Sequence, residues 1–298
     1  ARYEYMQNLF DKMLSKEPQH SSYPEPDVIT YFILLRGFSK ANDISKVLKH
    51  YSYLVSIQEE EEFRIDESLY NNIIDCFARN KDEKNCLRVF EDMKRSQVEL
   101  SIVSYGIVIK LYVILNDLSK AMKYFKEVSE LSHTNTKLVP SIVIYQLVIK
   151  CLIKNNRLLE AVELFKDMIE QKGIKPDNLI LELLIKNCFE QDRNDHSYDL
   201  IVEACKYDVK LENYLYEGAI DSIKAMPNEL SLKKKKVLVM LVKAIRSSSI
   251  QISRSIAEKF NSLIVTVKES FRLGNSNNNT QDGESKNLHS GPSREKID

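Results

Sequence analysis

Apolar residues recur along this chain at helical spacing and are interrupted by short polar breaks. Residues 142–177 read IVIYQLVIKCLIKNNRLLEAVELFKDMIEQKGIKPD, with two apolar stripes, a polar break at KNNR and a stop at GIKPD. Apolar residues three and four positions apart lie on one face of a helix, and Gly and Pro after the last of them end it. The segment predicts helices at about 144–154 and 158–171, joined by a turn. Such a pair cannot bury both apolar faces alone.

Three columns of residues show that this helical hairpin repeats. One column opens the first helix of each hairpin, at Tyr31, Tyr70, Tyr105, Tyr145, Leu181 and Tyr216. A second column follows 20 residues later, at Tyr51, Phe90, Phe125, Phe165 and Ile201. Small or modest residues lie four positions before the second column, at Val47, Cys86, Ala121, Ala161 and Ser197. Because the columns share the same irregular spacing, they predict stacked hairpins that bury one another's apolar faces.

The columns divide the chain into a leading half repeat, five full repeats and a capping region. Extra polar residues in the linkers lengthen two repeats, and QEEEEF at 58–63 is most simply a solvated linker. The half repeat contains a second helix at 3–14 with Phe10 in the aromatic column, and a last helix is expected at 251–272. The predicted divisions are 1–27 (half repeat and linker), 28–66, 67–101, 102–141, 142–177 and 178–212 (repeats 1 to 5), 213–273 (degenerate repeat and capping helices) and 274–298 (disordered tail).

Composition supports an all-α protein without an obvious polyanionic partner. Of the 298 residues, 43% are hydrophobic and 29% are charged, and only 7 Gly and 7 Pro occur. The formal net charge is zero, so a nucleic-acid surface requires local sorting of charge. The five cysteines contain no C-x-x-C pair, which favours reduced, buried thiols. No apolar run reaches the roughly 20 residues of a membrane span. The chain opens ARYEYM, so a removed targeting peptide would not be visible.

Units of about 35 residues that end in KPD and continue into a helix-opening Tyr resemble pentatricopeptide repeats. The resemblance covers residues 3–217 and rests on Pro26–Tyr31, Tyr70–Asn71, Leu158–Met168 and Ile174–Asp177. The alternative, the tetratricopeptide repeat, is a 34-residue protein-binding unit that wants a small residue three positions after the Phe. That site holds Leu54, Met93, Val128, Met168 and Ala204 here. The resemblance implies a right-handed α-solenoid superhelix of helix-turn-helix repeats.

The same resemblance implies single-stranded RNA binding along the first helices, usually in mitochondria or plastids. In that family the residue after the opening Tyr and the last residue of the repeat select the base. The corresponding pairs here are Phe32 with Asp66, Asn71 with Ser101, Gly106 with Ser141, Gln146 with Asp177, and Glu182 with Glu212. Phe32, Gly106 and Glu182 depart from the family's usual Thr, Ser or Asn, so no target sequence is predicted. Phe32 either stacks on a base or belongs to the core.

Basic residues are sorted onto one face of the first helices. One turn after the selector position stand Arg36, Asp75, Lys110, Lys150 and Lys186, of which four are basic in a neutral chain. One further turn along, Lys40, Arg79 and Lys154 match the site whose Lys touches phosphate in the family. These residues predict a series of cations that follows an RNA backbone. A solvated basic face with nothing bound is the alternative, and the lysine run 233–236 either flanks such a surface or keeps the cap soluble.

No other chemistry is indicated. The segment DRNDHSYD at 192–199 could suggest a metal-dependent nuclease site, but it falls at a turn and a helix start, where Asp is favoured by capping. We therefore expect no enzyme, no metal, no cofactor and no small-molecule substrate. The expected function is a non-catalytic RNA-binding factor of the mitochondrial matrix that acts in transcript stability, processing or translation. The alternative is a protein-binding scaffold or a subunit of a mitochondrial ribosome or other assembly.

Overall fold

The computed structural model describes residues 2–15, 23–58, 63–227 and 230–284. Within these ranges every regular element is helical, and all but the short 3-10 turn Thr136–Leu138 are α-helices. The predicted all-α class of helix-turn-helix repeats is confirmed. The acidic linker 59–62, predicted to be solvated, lies outside the described residues.

The chain divides into two compact units, Ala1–Ile174 and Lys175–Asp298. The first unit holds the half repeat and four hairpins. Its helices are α1 (Arg2–Leu14), α2 (Val28–Ala41), α3 (Ile44–Ile57), α4 (Glu67–Arg79), α5 (Glu83–Arg95), α6 (Ile102–Leu115), α7 (Leu118–Leu131), α8 (Ile142–Lys154) and α9 (Leu158–Glu170). Helices α8 and α9 lie where the repeat pattern predicts them, with α8 starting two residues earlier and α9 ending one residue earlier.

Short polar residues set where the helices of each hairpin begin and end. The side chains of Asp27 and Asp66 accept hydrogen bonds from backbone N–H groups in the first turns of α2 and α4. Within the hairpin turns one residue adopts a left-handed conformation each time, at Asn42, Lys81, Asn116, Asn156 and Asp192. The turns therefore share a left-handed residue at the same position of the repeat, although that residue is Asn in only some of them. Gly173, predicted as a helix stop, also has a positive φ of 64°.

The two aromatic columns meet at the boundary between consecutive repeats. The ring of Phe90 packs edge-on against Tyr105 of the next repeat at 5.6 Å, and Phe125 packs on Tyr145 at 5.3 Å. Phe10 of the half repeat contacts Tyr31 in the same way at 5.3 Å, which confirms its predicted place in the column. Edge-to-face pairs are favourable beyond the apolar area that they bury. This recurring contact explains why both columns repeat together.

In the first unit the first helices form a continuous layer. Helix α4 packs on both α2 and α6, and α6 packs on α8, whereas the second helices of this unit, α3, α5, α7 and α9, make no comparable contacts with each other. The first helices therefore lie closer together than the second helices. This spacing places the faces of α2, α4, α6 and α8 side by side on one side of the stack, where one extended ligand can touch all of them.

The second unit contains the fifth repeat, the degenerate repeat and a long terminal helix. Its helices are α10 (Asn178–Glu190), α11 (Asn194–Lys206), α12 (Asn213–Ala225), α13 (Ser231–Ser247) and α14 (Arg254–Glu284). Helix α14 packs on both α12 and α13.

The sequence-based limits of the last helix, 251–272, are wrong at both ends, because α14 starts at Arg254 and ends at Glu284. The tail predicted as disordered from 274 therefore begins inside this helix, and residues 285–298 lie outside the described part. Adding residues to an existing helix costs much less than nucleating one, so α14 continues into a segment that is poor in helix-forming residues.

Candidate nucleic-acid interface

Each first helix presents the same exposed stripe, which we call the first-helix face. Counted from the opening residue of the helix, it comprises positions −2, +1, +2, +5 and +9. In α8 these positions are Val143, Gln146 and Leu147, Lys150 and Lys154, and all are exposed or half-buried, while the intervening residues are buried except for the half-buried Ile153. The helical period of 3.6 residues produces this division. The predicted base-facing and phosphate-facing residues of the first helices all lie on this face.

The residues after the opening position differ in how far a ligand could reach them. Phe32 is half-buried and its ring packs edge-on against Phe63 at 6.0 Å, so part of its surface is covered by the protein itself. Asn71 donates to Glu67 Oε1 at 3.1 Å, and its own Oδ1 is buried with no partner among the described residues. Gly106 offers no side chain, and Gln146 and Glu182 are half-buried. Only Asn71 presents an unpaired buried acceptor.

The last residues of the repeats are the N-cap residues of the following first helices. Asp66 accepts from the backbone N–H of Leu69 at 2.6 Å, and Asp177 accepts from that of Ile180 at 3.1 Å. Ser101 accepts from the backbone N–H of Val103 at 3.2 Å. Ser141 and Glu212 make no side-chain cap bond. Helix capping thus already uses three of the five side chains, and their predicted base-selecting role stays a prediction.

Four of the seven predicted cations, Arg36, Arg79, Lys110 and Lys186, are ion-paired, either within their own helix or with a carboxylate at or on a neighbouring first helix. The guanidinium of Arg36 donates to Asp66 at 3.1 Å. Asp75 lies between two cations, with its carboxylate 2.9 Å from Arg79 and 3.2 Å from Lys110. Arg79 also donates to the backbone carbonyl of Ser39 at 2.8 Å, which fixes its position. The continuous series of cations predicted from the sequence is therefore partly neutralised, because the carboxylates reach the same face from neighbouring repeats.

The remaining cations of the first unit are available. Lys40, Lys150 and Lys154 are exposed, and no described acidic side chain forms an ion pair with any of them. Lys150 and Lys154 lie one turn apart on α8, which places two positive charges side by side on the same face. They form the strongest uncompensated positive site on the first-helix face of this unit.

The first-helix face of the second unit is acidic. It carries Glu182 and Glu190 on α10 and Asp221 on α12, and Lys186 is 3.8 Å from Glu190. Burial and then the nearby carboxylates of Glu182, Glu212 and Glu190 raise the pKa of the Tyr214 hydroxyl. An accumulation of acids repels a phosphate chain. The side chain of Lys186, which was predicted to face phosphate, therefore lies among negative charges, whereas that of Lys150 does not.

The sequence analysis missed a column of exposed apolar residues at the start of the first helices. The residues two positions before the opening column are Ile29, Ser68, Val103, Val143, Leu179 and Tyr214. The five large ones leave between 50% and 65% of their surface exposed. Apolar side chains at positions facing water indicate a surface that contacts another molecule. The signal was visible as apolar residues on the polar side of five of the six first helices.

The other candidate sites receive no structural support. The acidic segment 192–199 forms the turn before α11 and the first turns of that helix, and no group of three or more His, Cys, Asp or Glu in the described residues is arranged to hold a metal. All five cysteines are buried free thiols, as predicted, and burial raises the pKa of Cys86 to about 12. None of the helices in the described ranges has the length and apolarity needed to cross a bilayer.

Comparisons with known proteins agree with the geometry. Residues 53–168 match the family model described as pentatricopeptide repeat-containing protein. A pentatricopeptide repeat-containing protein of Arabidopsis thaliana is 28% identical over 123 residues, which are 41% of this chain and 22% of that protein. This chain is thus much shorter than the curated relative it matches.

Two solved structures share the fold. The pentatricopeptide repeat protein PPR10 from maize superimposes with a TM-score of 0.56 at 14% identity, over 91% of this chain and 39% of that protein. Nuclear proteinaceous RNase P 2 of Arabidopsis thaliana superimposes with a TM-score of 0.54 at 16% identity, over 65% of this chain and 41% of that protein. Together with the repeat length, the KPD ending and the paired aromatic columns, these matches show that the chain is similar to pentatricopeptide repeat proteins and shares their fold.

Proposed function

We propose that the first-helix face of the first unit binds single-stranded RNA and that the chain performs no chemistry on it. The observation that carries the proposal is the adjacent pair Lys150 and Lys154, which are exposed on α8 and have no described acidic partner. Phosphates supply most of the affinity in nucleic-acid complexes, and each contact with a lysine releases a counterion. An RNA backbone that follows the first helices would meet this pair directly.

The apolar column and the lysines suit different parts of an RNA strand. Val103 and Val143 stand on adjacent first helices, two turns before Lys110 and Lys150 along each helix. Unstacked bases present flat apolar faces, and burying those faces against side chains offsets part of the cost of unstacking. Phosphates would then lie toward the lysines. The exposed ion pair of Arg36 is weak enough to exchange for a phosphate contact, whereas the shared carboxylate of Asp75 competes with phosphate for Arg79 and Lys110.

The relatives support the RNA proposal and leave the biological step open. The maize protein PPR10 has also been solved in complex with an 18-nt psaJ RNA element, and a second structural neighbour is an RNase P protein. By family resemblance we assign this chain to an organelle, the mitochondrial matrix, as a factor in RNA stability, processing or translation. A bound protein that follows the strand would shield it from nucleases and keep it unpaired.

Charge reversal of the α8 pair tests the proposal. Lys150→Glu with Lys154→Glu should weaken binding to single-stranded RNA and reduce the slope of log K against log salt by about 1.4, since each phosphate contact contributes roughly 0.7. The control is Lys126→Glu with Lys166→Glu, which makes the same change in net charge on the second helices α7 and α9. Equal loss in both double variants would show that only net charge matters, and no loss in either would refute the proposed site.

A protein-binding scaffold is the second candidate function. It is favoured by the acids on the first-helix face of the second unit and by base-facing positions that are packed or empty, as at Phe32 and Gly106. If the α8 double variant keeps full RNA affinity while a stable protein complex is lost, the scaffold is the better description.

A further inference from the structure

An apolar groove lies between α13 and α14 in the second unit. It has a volume of about 610 Å³, and its floor is formed by Leu238, Val242, Ile264 and Val267. Val239 stands at its edge and leaves 57% of its surface exposed. Exposed aliphatic surface of this kind is costly in water, so a groove lined by it favours an apolar occupant.

The rim of this groove is positively charged throughout. The remaining lining residues are Ser247 and four cations, Lys235, Lys243, Arg246 and Lys268, and the lining includes no acid. Among the described residues no acidic side chain forms an ion pair with Lys243, Arg246 or Lys268. The groove therefore combines an apolar floor with a basic border, of which Lys243, Arg246 and Lys268 have no acidic partner among the described residues.

The placement of lysines on α13 adds a second electrostatic signal. Helix α13 starts at Ser231, so the run of four lysines at 233–236 occupies its first two turns, where the helix dipole favours acids. Its first turn contains no acidic residue, and its N-cap residue, Leu230, makes no side-chain cap bond. Within this run, the Lys233 Nζ atom forms an ion pair with Asp195 Oδ2 at 2.8 Å. An acidic partner lying along the groove would add negative charge beside this start of α13.

We propose that this groove binds an amphipathic helix of a partner protein whose apolar face is bordered by Asp and Glu. The lining of α13 runs from Lys235 to Ser247, a length of about 18 Å at 1.5 Å per residue, which matches roughly three turns of a bound helix. A helix laid in such a groove anchors itself through apolar residues at positions i, i+3/i+4 and i+7.

The chemistry of the groove argues against other occupants. A second copy of the chain packed symmetrically would bring two identical basic rims together, which like-charge repulsion disfavours. RNA would need stacking partners, and the floor is aliphatic without an aromatic ring. The inference is independent of the RNA site proposed on the first-helix face of the first unit.

Selection from a peptide library on the intact chain tests the inference. The library holds 16-residue helical peptides with apolar residues fixed at i, i+4, i+7 and i+11 and with the flanking positions randomised. We expect enrichment of Asp and Glu at the flanks, and affinity that falls as salt rises. Val239→Glu should weaken the selected peptides by about tenfold or more because a charge would face the apolar floor. Lys243→Glu should weaken them through repulsion of their acids.

The matched control is Val265→Glu. Val265 is an exposed valine of α14, 54% exposed, that does not line the groove, so its replacement should leave peptide affinity unchanged. The inference fails if no peptide is enriched, if the flanks carry no acidic preference, or if Val239→Glu and Val265→Glu have the same effect. If Val239→Glu abolishes self-association and leaves peptide affinity intact, the groove binds a second copy of the chain. If the variant loses RNA affinity and keeps peptide affinity, the groove binds RNA. Either result overturns the inference.

Discussion

In the RNA complex proposed for the first-helix face, the carboxylate of Asp75 would compete with phosphate for Arg79 and Lys110, and Asp75→Asn measures that competition. Asp75 lies 2.9 Å from Arg79 and 3.2 Å from Lys110, so it compensates two cations at once. Asparagine keeps the shape of the side chain and removes its charge. Arg79 remains held by the carbonyl of Ser39 at 2.8 Å, so its guanidinium keeps its place.

The expected size of the effect follows from the number of cations released. Two additional phosphate contacts steepen the slope of log K against log salt by about 1.4. Between 50 and 200 mM salt, a fourfold change, the variant should lose roughly sevenfold more affinity than the parent protein, and it should bind more tightly at the low-salt end. The cost to folding is small, because exposed ion pairs contribute only about 0.2–1 kcal/mol each.

Binding of a fluorescent single-stranded RNA, titrated at several salt concentrations, measures both quantities. The control is Glu160→Gln on the second helix α9. It also removes one negative charge from an ion pair, because Glu160 pairs with Arg157. If Asp75→Asn leaves the slope and the affinity unchanged, or if Glu160→Gln steepens the slope equally, then Arg79 and Lys110 do not contact the RNA backbone.

Two further predictions concern stability. His50 is buried against Phe10 and Phe38, and burial lowers its pKa below the ordinary 6.5, so the unfolded chain binds its proton first as the pH falls. Between pH 7.5 and 5.5 the unfolding free energy of the parent protein should therefore fall by up to about 1.4 kcal/mol, and that of His50→Phe should not show this loss. Urea denaturation at the two pH values measures both. Equal losses in the two proteins would contradict a buried neutral histidine. Phe165 is fully buried in α9, so Phe165→Ala should cost about 3–5 kcal/mol, whereas Leu159→Ala at a 44% exposed site on the same helix should cost far less. Similar costs for the two variants would show that the aromatic column does not hold the hairpins together.

The hairpin architecture could be predicted because it depends on interactions near in sequence. Helical periodicity marks which face of each helix is buried, and residues such as Asp27 and Gly173 mark where helices start and stop. The shared spacing of two aromatic columns predicted stacking, and the contact between Phe90 and Tyr105 is its physical basis. The end of α14 was missed because Gly274 and the polar residues after it signal a helix stop, whereas the established helix continues through them.

The sequence by itself determined the repeat, its helix boundaries and the face on which the candidate RNA-binding residues lie, since a helix converts spacing directly into orientation. Only the tertiary structure decided which of those charges remain available. Arg36 meets Asp66 and Lys110 meets Asp75 across distances of 30 and 35 residues, whereas Lys150 meets no described acid. The groove between α13 and α14 likewise exists only once the two helices pack. Such contacts depend on how neighbouring repeats are stacked and on the conformations of long side chains. The spacing of residues within one helix predicts neither.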